Sequence, residues 1–383
     1  MKVMSGKKVD IKSGKADSPE LKALARDVIR LSNLFTRERE NLPPGYLTDE
    51  GLRRAYIHYF LPANINKIHM PLQELSLYPG NILLKERLNI LDLGCGPGTA
   101  ILGMLEYFSS RREASRPLLD FTAVDAVQEN LSETITQFTH LTQQRPVKAS
   151  LITSKATVER FITRCRDKNS YDIIVMLNLL SELFPGDPQG ISKKTRLLKT
   201  IMDKLLTREG SLILIEPALR ETSRGLLMVR DGLLHEGGFH LYAPCLTEVP
   251  CPALIRPKDW CHAEVPWDPP ELVRDIDRLT GLRKDSLKFS YMIFQKERAF
   301  LTDQYGDAYR IVSEPLVSKG KIEFYVCGRE GRRLVTRLNK DHSVSNEPFE
   351  KLKRWDIVQF TGIADEAGRL RILKESEVTL LNQ

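Results

Sequence analysis

Long apolar runs are missing from this 383-residue chain. None approaches the roughly 20 residues that a membrane-crossing helix requires, so no membrane partner is expected. The first twenty residues are rich in Lys, Gly and Ser and lack the apolar core of a secretory signal. They also lack the Arg-rich amphipathic pattern of a mitochondrial address, which makes a cytoplasmic location the expectation. Structural disulfides among the six cysteines are disfavoured on the same ground. No internal repeat is visible, which excludes a repeat array. Charge of one sign is in modest excess, +7, which suits a polyanionic partner without requiring one. What remains, with 42% hydrophobic and 28% charged residues, is a globular chain long enough for one large domain and one or two smaller ones.

Ser18-Pro19-Glu20 is a helix start, and Leu21, Leu24, Val28, Leu31 and Leu34 follow at helical spacing. Met1 to Asp17 reads as a tail. Pro43-Pro44-Gly45 closes the first helix, and a second runs from Thr48 to about Leu61, where Pro62 is expected to stop it. Residues 1–84 thus form a tail and a helical preface. From Leu88 the texture changes to short apolar runs alternating with amphipathic segments. The runs are 88–93, 121–124, 149–153, 173–177, 211–215, 239–242 and 289–294. Alternation of this kind implies parallel β-α units in a doubly wound sheet. The expectation for residues 85–298 is an α/β, class I (Rossmann-like) methyltransferase domain with seven strands, the last antiparallel to its neighbours. An irregular, cysteine-rich insert occupies 243–288. Five further strand-like runs in residues 299–383 suggest a small OB-like β-barrel.

The most informative segment is Leu91-Asp92-Leu93-Gly94-Cys95-Gly96-Pro97-Gly98-Thr99. Glycines are needed where the backbone takes left-handed angles and a ligand touches it, and the helix start beyond aims free N–H groups at that ligand. Asp125 ends the second strand, where a carboxylate can hold both ribose hydroxyls. A nicotinamide site places an acid similarly, but its fingerprint is G-x-G-x-x-G, whereas this loop reads G-C-G-P-G. The expected ligand is S-adenosylmethionine, bound by Asp92, Gly94, Gly96, Gly98 and Asp125. The bland alternative is a tight glycine turn that holds no cofactor. Thr157, after the third strand, is a candidate for the adenine end.

Cys245, Cys251 and Cys261 lie in the insert at C-x5-C-x9-C spacing, and Cys327 follows 66 positions later. A proline-stiffened loop with little apolar material packs poorly alone, and a thiolate-bound metal would supply a cross-link. No tight C-x2-4-C knuckle is present, which counts against zinc, although His262 keeps zinc open. Scattered spacing beside prolines suits an iron–sulfur cluster better; no metal at all is the third reading. With Cys327 as fourth ligand, such a centre would staple the C-terminal domain over the substrate side.

These segments together resemble a known family, the bacterial and mitochondrial methyltransferase-like proteins associated with the small ribosomal subunit. The resemblance rests on 91–99, on Asn178-Leu179-Leu180-Ser181-Glu182-Leu183, on Ile215-Glu216-Pro217, on the cysteine pattern, and on Tyr56-Ile57-His58-Tyr59-Phe60-Leu61-Pro62-Ala63. It implies S-adenosylmethionine binding, a 4Fe-4S cluster on Cys245, Cys251, Cys261 and Cys327, and ribosomal RNA or the assembling small ribosomal subunit as partner. The expected function is RNA methyltransferase-like; the alternative is a non-catalytic assembly factor that binds the same groups as structural elements. A monomer is expected.

Candidates to face the methyl group are Asn178 and Glu182 after the fourth run and Glu216 after the fifth, with a helix-capping role equally open for Glu182. The D/N-P-P-Y/F signature of amino-methylating enzymes is absent, as are cysteines in the positions used by RNA cytosine-C5 enzymes. From Lys319 to Arg354, ten Lys and Arg face five acids. Arg329, Arg332, Arg333 and Arg337 could neutralise phosphates, with Tyr325 or Trp355 for stacking. A solvated charged face is the competing reading.

Overall fold

A computed structural model describes residues 18–381 except 40–41, 44, 78–80, 113–115, 166–169, 299–302, 304 and 367. The expected tail, Met1 to Asp17, and Pro44 of the first expected helix stop lie outside the described residues. Helix α1 (Pro19–Thr36) starts as its sequence dictates: the Ser18 hydroxyl accepts from the Leu21 N–H at 3.1 Å, and Leu21, Leu24, Val28 and Leu31 are buried. Asp49 caps α2 (Glu50–Ala55) in the same way.

Pro62 does not end the second helix. The chain passes through a π-helical turn, Tyr56–Phe60, into α3 (Leu61–Ile65), where Pro62 sits in the first turn, and on to α4 (His69–Leu77). A proline is tolerated where a new segment begins, because its missing N–H has no partner to lose there. The preface is therefore one helical path, re-aimed at Tyr56–Phe60.

The central sheet follows from strands buried on both faces. Its members are β1 (Arg87–Leu93), β2 (Leu118–Asp125), β3 (Ala149–Lys155), β4 (Tyr171–Leu177), β5 (Leu206–Pro217), β6 (His240–Ala243), β7 (Ala263–Pro266) and β8 (Ser286–Gln295). Along β1, Leu88 and Ile90 join the core on one face while Leu91 and Leu93 join the core on the other, the period-2 alternation of a strand covered by helices on both sides. The order is β3-β2-β1-β4-β5-β8-β6, with β7 paired to β8. β1 to β5 are parallel; β8 runs antiparallel to β5, β6 and β7. The sheet has the class I methyltransferase-like α/β arrangement. It departs from the expected seven strands by β7, which comes from the insert. The insert is also less irregular than expected, since it carries α10 (Glu271–Thr280), a helix with buried Val273 and Ile276. The other helices are α5 (Thr99–Ser109), α6 (Gln128–Gln144), α7 (Val158–Arg164), α8 (Gly190–Leu205) and α9 (Arg220–Glu236).

Beyond residue 305 lie β9 (Ala308–Ile311), β10 (Leu316–Ser318), β11 (Lys321–Gly328), β12 (Gly331–Leu338), β13 (Ile357–Thr361), β14 (Ala364–Glu366), β15 (Arg369–Ile372) and β16 (Glu377–Leu380). Five of these coincide with the expected runs; β10, β14 and β16 are additional. The row reads β14-β15-β12-β11-β9-β13-β16, around a core that includes Phe324, Phe349 and Phe360. β13 and β14 are successive stretches of chain, separated by Gly362 at φ 65° and Ile363.

A buried polar network fastens this unit to the rest. The Arg310 guanidinium donates to Glu74 Oε2 at 2.9 Å, to the Pro244 carbonyl at 2.6 Å and to the Trp355 carbonyl at 3.2 Å. The Tyr291 hydroxyl donates to Glu74 Oε1 and accepts from the Trp355 indole N–H, both at 2.8 Å. Preface, β8, insert and C-terminal unit meet in these five residues.

Candidate functional site

At the carboxyl edge of β1 and β2 the chain makes a cradle. Gly94, Gly96 and Gly98 hold φ of 68°, 52° and 87°, the left-handed region that glycine alone enters without strain. Packing adds a second reason at Gly94, where a Cβ would stand 2.7 Å from Leu179 Cδ2. At Gly96 a Cβ would meet nothing within 4 Å, so bare backbone there faces open space. Asp125 shapes the loop: it accepts from the Gly96 N–H at 2.9 Å, the Val127 N–H at 2.8 Å and the Asn130 amide at 3.1 Å.

Over this cradle is a cavity of about 680 Å³. It is bounded by the glycine loop and Asp125 at one side, by Ala156 to Glu159 beyond, and by Asn178 to Glu182 and Pro217 to Leu219 toward β4 and β5. Four of the five expected donor-site residues line it; Gly98 does not, and a Cβ there would stand 2.9 Å from Thr134 Cγ2. Thr157 lines it too, while its hydroxyl caps α7 by accepting from the Arg160 N–H.

Asp92 is 1% exposed, and neither carboxylate oxygen has a hydrogen-bond partner. Burial, reinforced by the charge of Asp125, pushes its carboxyl up to about 8. A cationic ligand group is the natural complement for such a carboxylate. Asn178 is held at φ 60°, a conformation Asn tolerates better than most side chains, and its buried Oδ1 also lacks a partner. Burial pushes Glu182 up to about 8, with Arg39 opposing and Glu216 adding to the rise. Glu216, 1% exposed, is raised by burial as well, although it does not line the cavity.

Sequence reasoning expected the helical preface on the substrate side but named none of the residues that roof the cavity. Tyr46, Tyr56, Asn64 and Lys67 of the preface, Arg39 after α1 and Lys284 before β8 all line the cavity. The Tyr56 hydroxyl lies 3.1 Å from Thr99 Oγ1, joining roof to cradle, and Arg39 hydrogen-bonds the Ser181 hydroxyl. One signal was available: Lys67 is the only charged residue between Leu61 and Gln73 apart from the histidine at 69.

The four cysteines of the insert and β11 are free thiols. Burial comes first among the causes that raise each of three of them, and the other thiols come next. Cys261 is pushed up to about 12 by burial and then by Cys245 and Cys251; Cys327 is raised by burial and then by Cys261, Cys245 and Cys251. Among the described residues, no group of three or more His, Cys, Asp or Glu side chains is arranged to hold a metal ion. The expectation that the loop lacks a cross-link of its own is corrected. Arg224 of α9 donates to the carbonyls of Ala253, Leu254, Arg256 and Asp259, and Arg230 donates to those of Thr247 and Val249. Guanidinium groups gather the carbonyls that an irregular loop leaves over.

The expected basic face of the C-terminal unit loses Arg337, and its other named arginines include two that are paired. Arg337 is 1% exposed and bound to Asn346 and Glu350; Arg333 pairs with Glu330 and Asp365; Arg332 pairs with Asp259 at 2.7 Å. Trp355 is buried in the interdomain network and unavailable for stacking. Tyr325 stays exposed, with the Arg332 guanidinium 5.6 Å from its ring centre.

Solved structures with a related outline include a protein of Listeria monocytogenes assigned to the class I S-adenosylmethionine-dependent methyltransferases (13% identity, 73% of this chain, 89% of that one, TM-score 0.37). Loganic acid methyltransferase with SAH (12%, 63% and 97%, TM-score 0.36) and the small RNA methyltransferase HEN1 (11%, 59% and 25%, TM-score 0.35) are others. The match thus spans a quarter of HEN1, and likenesses this distant carry no functional argument. No curated protein sequence matches the chain. No helix among the described residues is long and apolar enough to cross a membrane. The family described as "Mitochondrial small ribosomal subunit Rsm22" matches residues 54–347, and the chain belongs to that family.

Proposed function

We propose that the chain is an S-adenosylmethionine-dependent, RNA methyltransferase-like protein acting on ribosomal RNA or the assembling small ribosomal subunit. Asp92 carries the reading: a buried carboxylate without a partner, facing a cavity floored by bare glycine backbone. The ammonium of the donor's methionine is the partner it lacks. Asp125 retains lone pairs for the ribose hydroxyls, since two carboxylate oxygens accommodate about four donors. Ala156 to Val158 border the adenine end. The family's description, a small ribosomal subunit, supports a ribosomal partner.

The donor, when bound, supplies an electrophilic methyl carbon; the chain's part is to orient and exclude water, because in-line transfer depends on alignment. Asn178 Oδ1, an acceptor with no partner, suits an N–H of the methylated base. Glu182, held largely protonated near neutrality, suits donation to an acceptor oxygen or nitrogen until it loses that proton. Calorimetry with S-adenosylhomocysteine tests the site. Wild type is expected to bind and Asp92→Ala to lose at least tenfold; no heat with folded wild type ends the reading.

A non-catalytic assembly factor is the second reading. It is favoured by the segment after β4, where Leu179 covers Gly94 and the amino-methylating signature is missing. Labelled methyl incorporation into precursor small subunits separates the two.

Two structural elements belong to the proposal. Cys245, Cys251, Cys261 and Cys327 are free thiols, and an iron–sulfur cluster on them would supply a covalent tie between insert and β11. Anaerobic iron, sulfide and zinc analysis, with Cys327→Ser alongside, tests that. For residues 299–383 we infer an OB-like barrel. Its support is the parallel β12–β15 pair and the bend at Gly362, by which β13 pairs β9 while β14 pairs β15.

A further inference from the structure

We propose that the β5 end of the cavity is an anion subsite, where Lys67 and Lys284 receive a phosphate of a single-stranded RNA acceptor. Lys67 is 8% exposed and lines the cavity, and no hydrogen bond or ion pair engages its amine among the described residues. Lys284 lines the same cavity. Its ammonium stands 5.6 and 5.1 Å from the ring centres of Tyr59 and Phe60; Asp277 favours its charge, but among the described residues no carboxylate is within ion-pair distance. Lys288 at the same end is already paired with Glu264, at 3.0 Å.

A buried cation without a partner is costly, and a leucine or methionine in the preface would pack without that cost. Lys67 is such a cation, and the half-buried Lys284 lines the same cavity. Burial, followed by the charge of Lys284, lowers the Lys67 amine to about 7. An oxyanion between them would satisfy both.

Topology decides which anion. The donor's cradle lies on β1 and β2, whereas Lys284 and Lys288 flank the start of β8, which pairs antiparallel with the end of β5 through Pro217 and Phe289. Lys67 feels Glu216, at that same strand end. The lysines thus stand past β4 from the glycine loop, on the side left for the methyl acceptor. The word acceptor rests on the donor reading above; the anion subsite does not. Arg332, Arg333 and Arg337 of the C-terminal unit are engaged by carboxylates, whereas Lys67 meets the cavity with no ion pair among the described residues.

The test uses the full chain, a fluorescein-labelled, mixed-sequence RNA hexamer, and inorganic phosphate as competitor, each with and without S-adenosylhomocysteine. Lys67→Met and Lys284→Met are each expected to weaken the hexamer about tenfold. Each should also reduce the salt slope by about 0.7, as for one lost phosphate contact on a single strand. Lys67→Arg should stay within about threefold of wild type. Homocysteine-adduct affinity should change less than about twofold, and the melting temperature of Lys67→Met should hold or rise. Unchanged hexamer affinity and salt slope in both Met variants overturns the proposal. Equal loss of S-adenosylhomocysteine also overturns it, because the lysines would then serve the donor's own carboxylate. Inorganic phosphate binding as tightly as the hexamer would assign the subsite to the free anion and overturn the RNA source. If Lys67→Met fails to fold, Lys284→Met and Lys67→Arg decide. If wild type binds no donor product, the donor reading falls while the hexamer series still judges the lysines.

Discussion

Glu74→Leu strips the buried Arg310 guanidinium of its carboxylate and the Tyr291 hydroxyl of its acceptor in one step. Arg310 is 2% exposed and Glu74 4%, so water does not replace what is lost. Removing one member of a buried pair typically costs about 3–5 kcal/mol. Arg310 keeps the Pro244 and Trp355 carbonyls, which places the expectation near the lower end, about 3 kcal/mol. Urea unfolding followed by tryptophan fluorescence suits the measurement, since Trp355 is buried inside the network. The double variant Glu74→Leu/Arg310→Met should recover about 2 kcal/mol relative to the summed single changes, because it leaves no orphaned charge. A loss under about 1 kcal/mol in Glu74→Leu, or strict additivity in the double variant, would refute the network as the fastening of the C-terminal unit.

Three further outcomes are expected. Asp92 has a folded pKa of about 8 against an ordinary 3.8, so between those values the folded chain holds a proton that the unfolded chain has released. Stability of the free protein should therefore fall as pH rises from about 4 to 8, and S-adenosylhomocysteine should bind more tightly over pH 6–8, by up to about tenfold per unit. Asp92→Asn should flatten both profiles, and profiles as steep as wild type would exclude Asp92 as their source. Gly94→Ala forces a Cβ to 2.7 Å from Leu179 at φ 68°, so a loss of about 1–3 kcal/mol in chemical denaturation is expected together with weakened donor binding. Arg224→Ala orphans four loop carbonyls, and limited proteolysis should cut between Ala253 and Asp259 at least several-fold faster than in wild type; equal rates would show that other contacts hold the loop.

The cradle was legible in the sequence because its determinants are local: three glycines spaced for left-handed angles, a strand before them and a helix after. The parallel sheet was legible for a similar reason, through strands apolar on both faces. The residues of the roof were not. Tyr46, Tyr56, Lys67 and Lys284 reach the cavity through helix packing and an antiparallel strand, relations that no short-range period encodes. Pro62 misled because a proline in a first turn and a proline that stops a helix look alike until the π-helical turn before it is seen. The basic stretch 319–354 misled in part for an electrostatic reason: Arg332 and Arg333 are spent on carboxylates distant in sequence, Asp259 and Asp365.

The helical path that carries Lys67 into the cavity roof continues within seven residues to Glu74, which grips Arg310 of the C-terminal unit. Ceiling and appendage hence hang from one beam. Cutting the chain after β8 would remove more than a separable module: with its anchor gone, the roof over the cradle would lose its register. A truncated protein that fails to hold ligand would then say little about where that ligand sits.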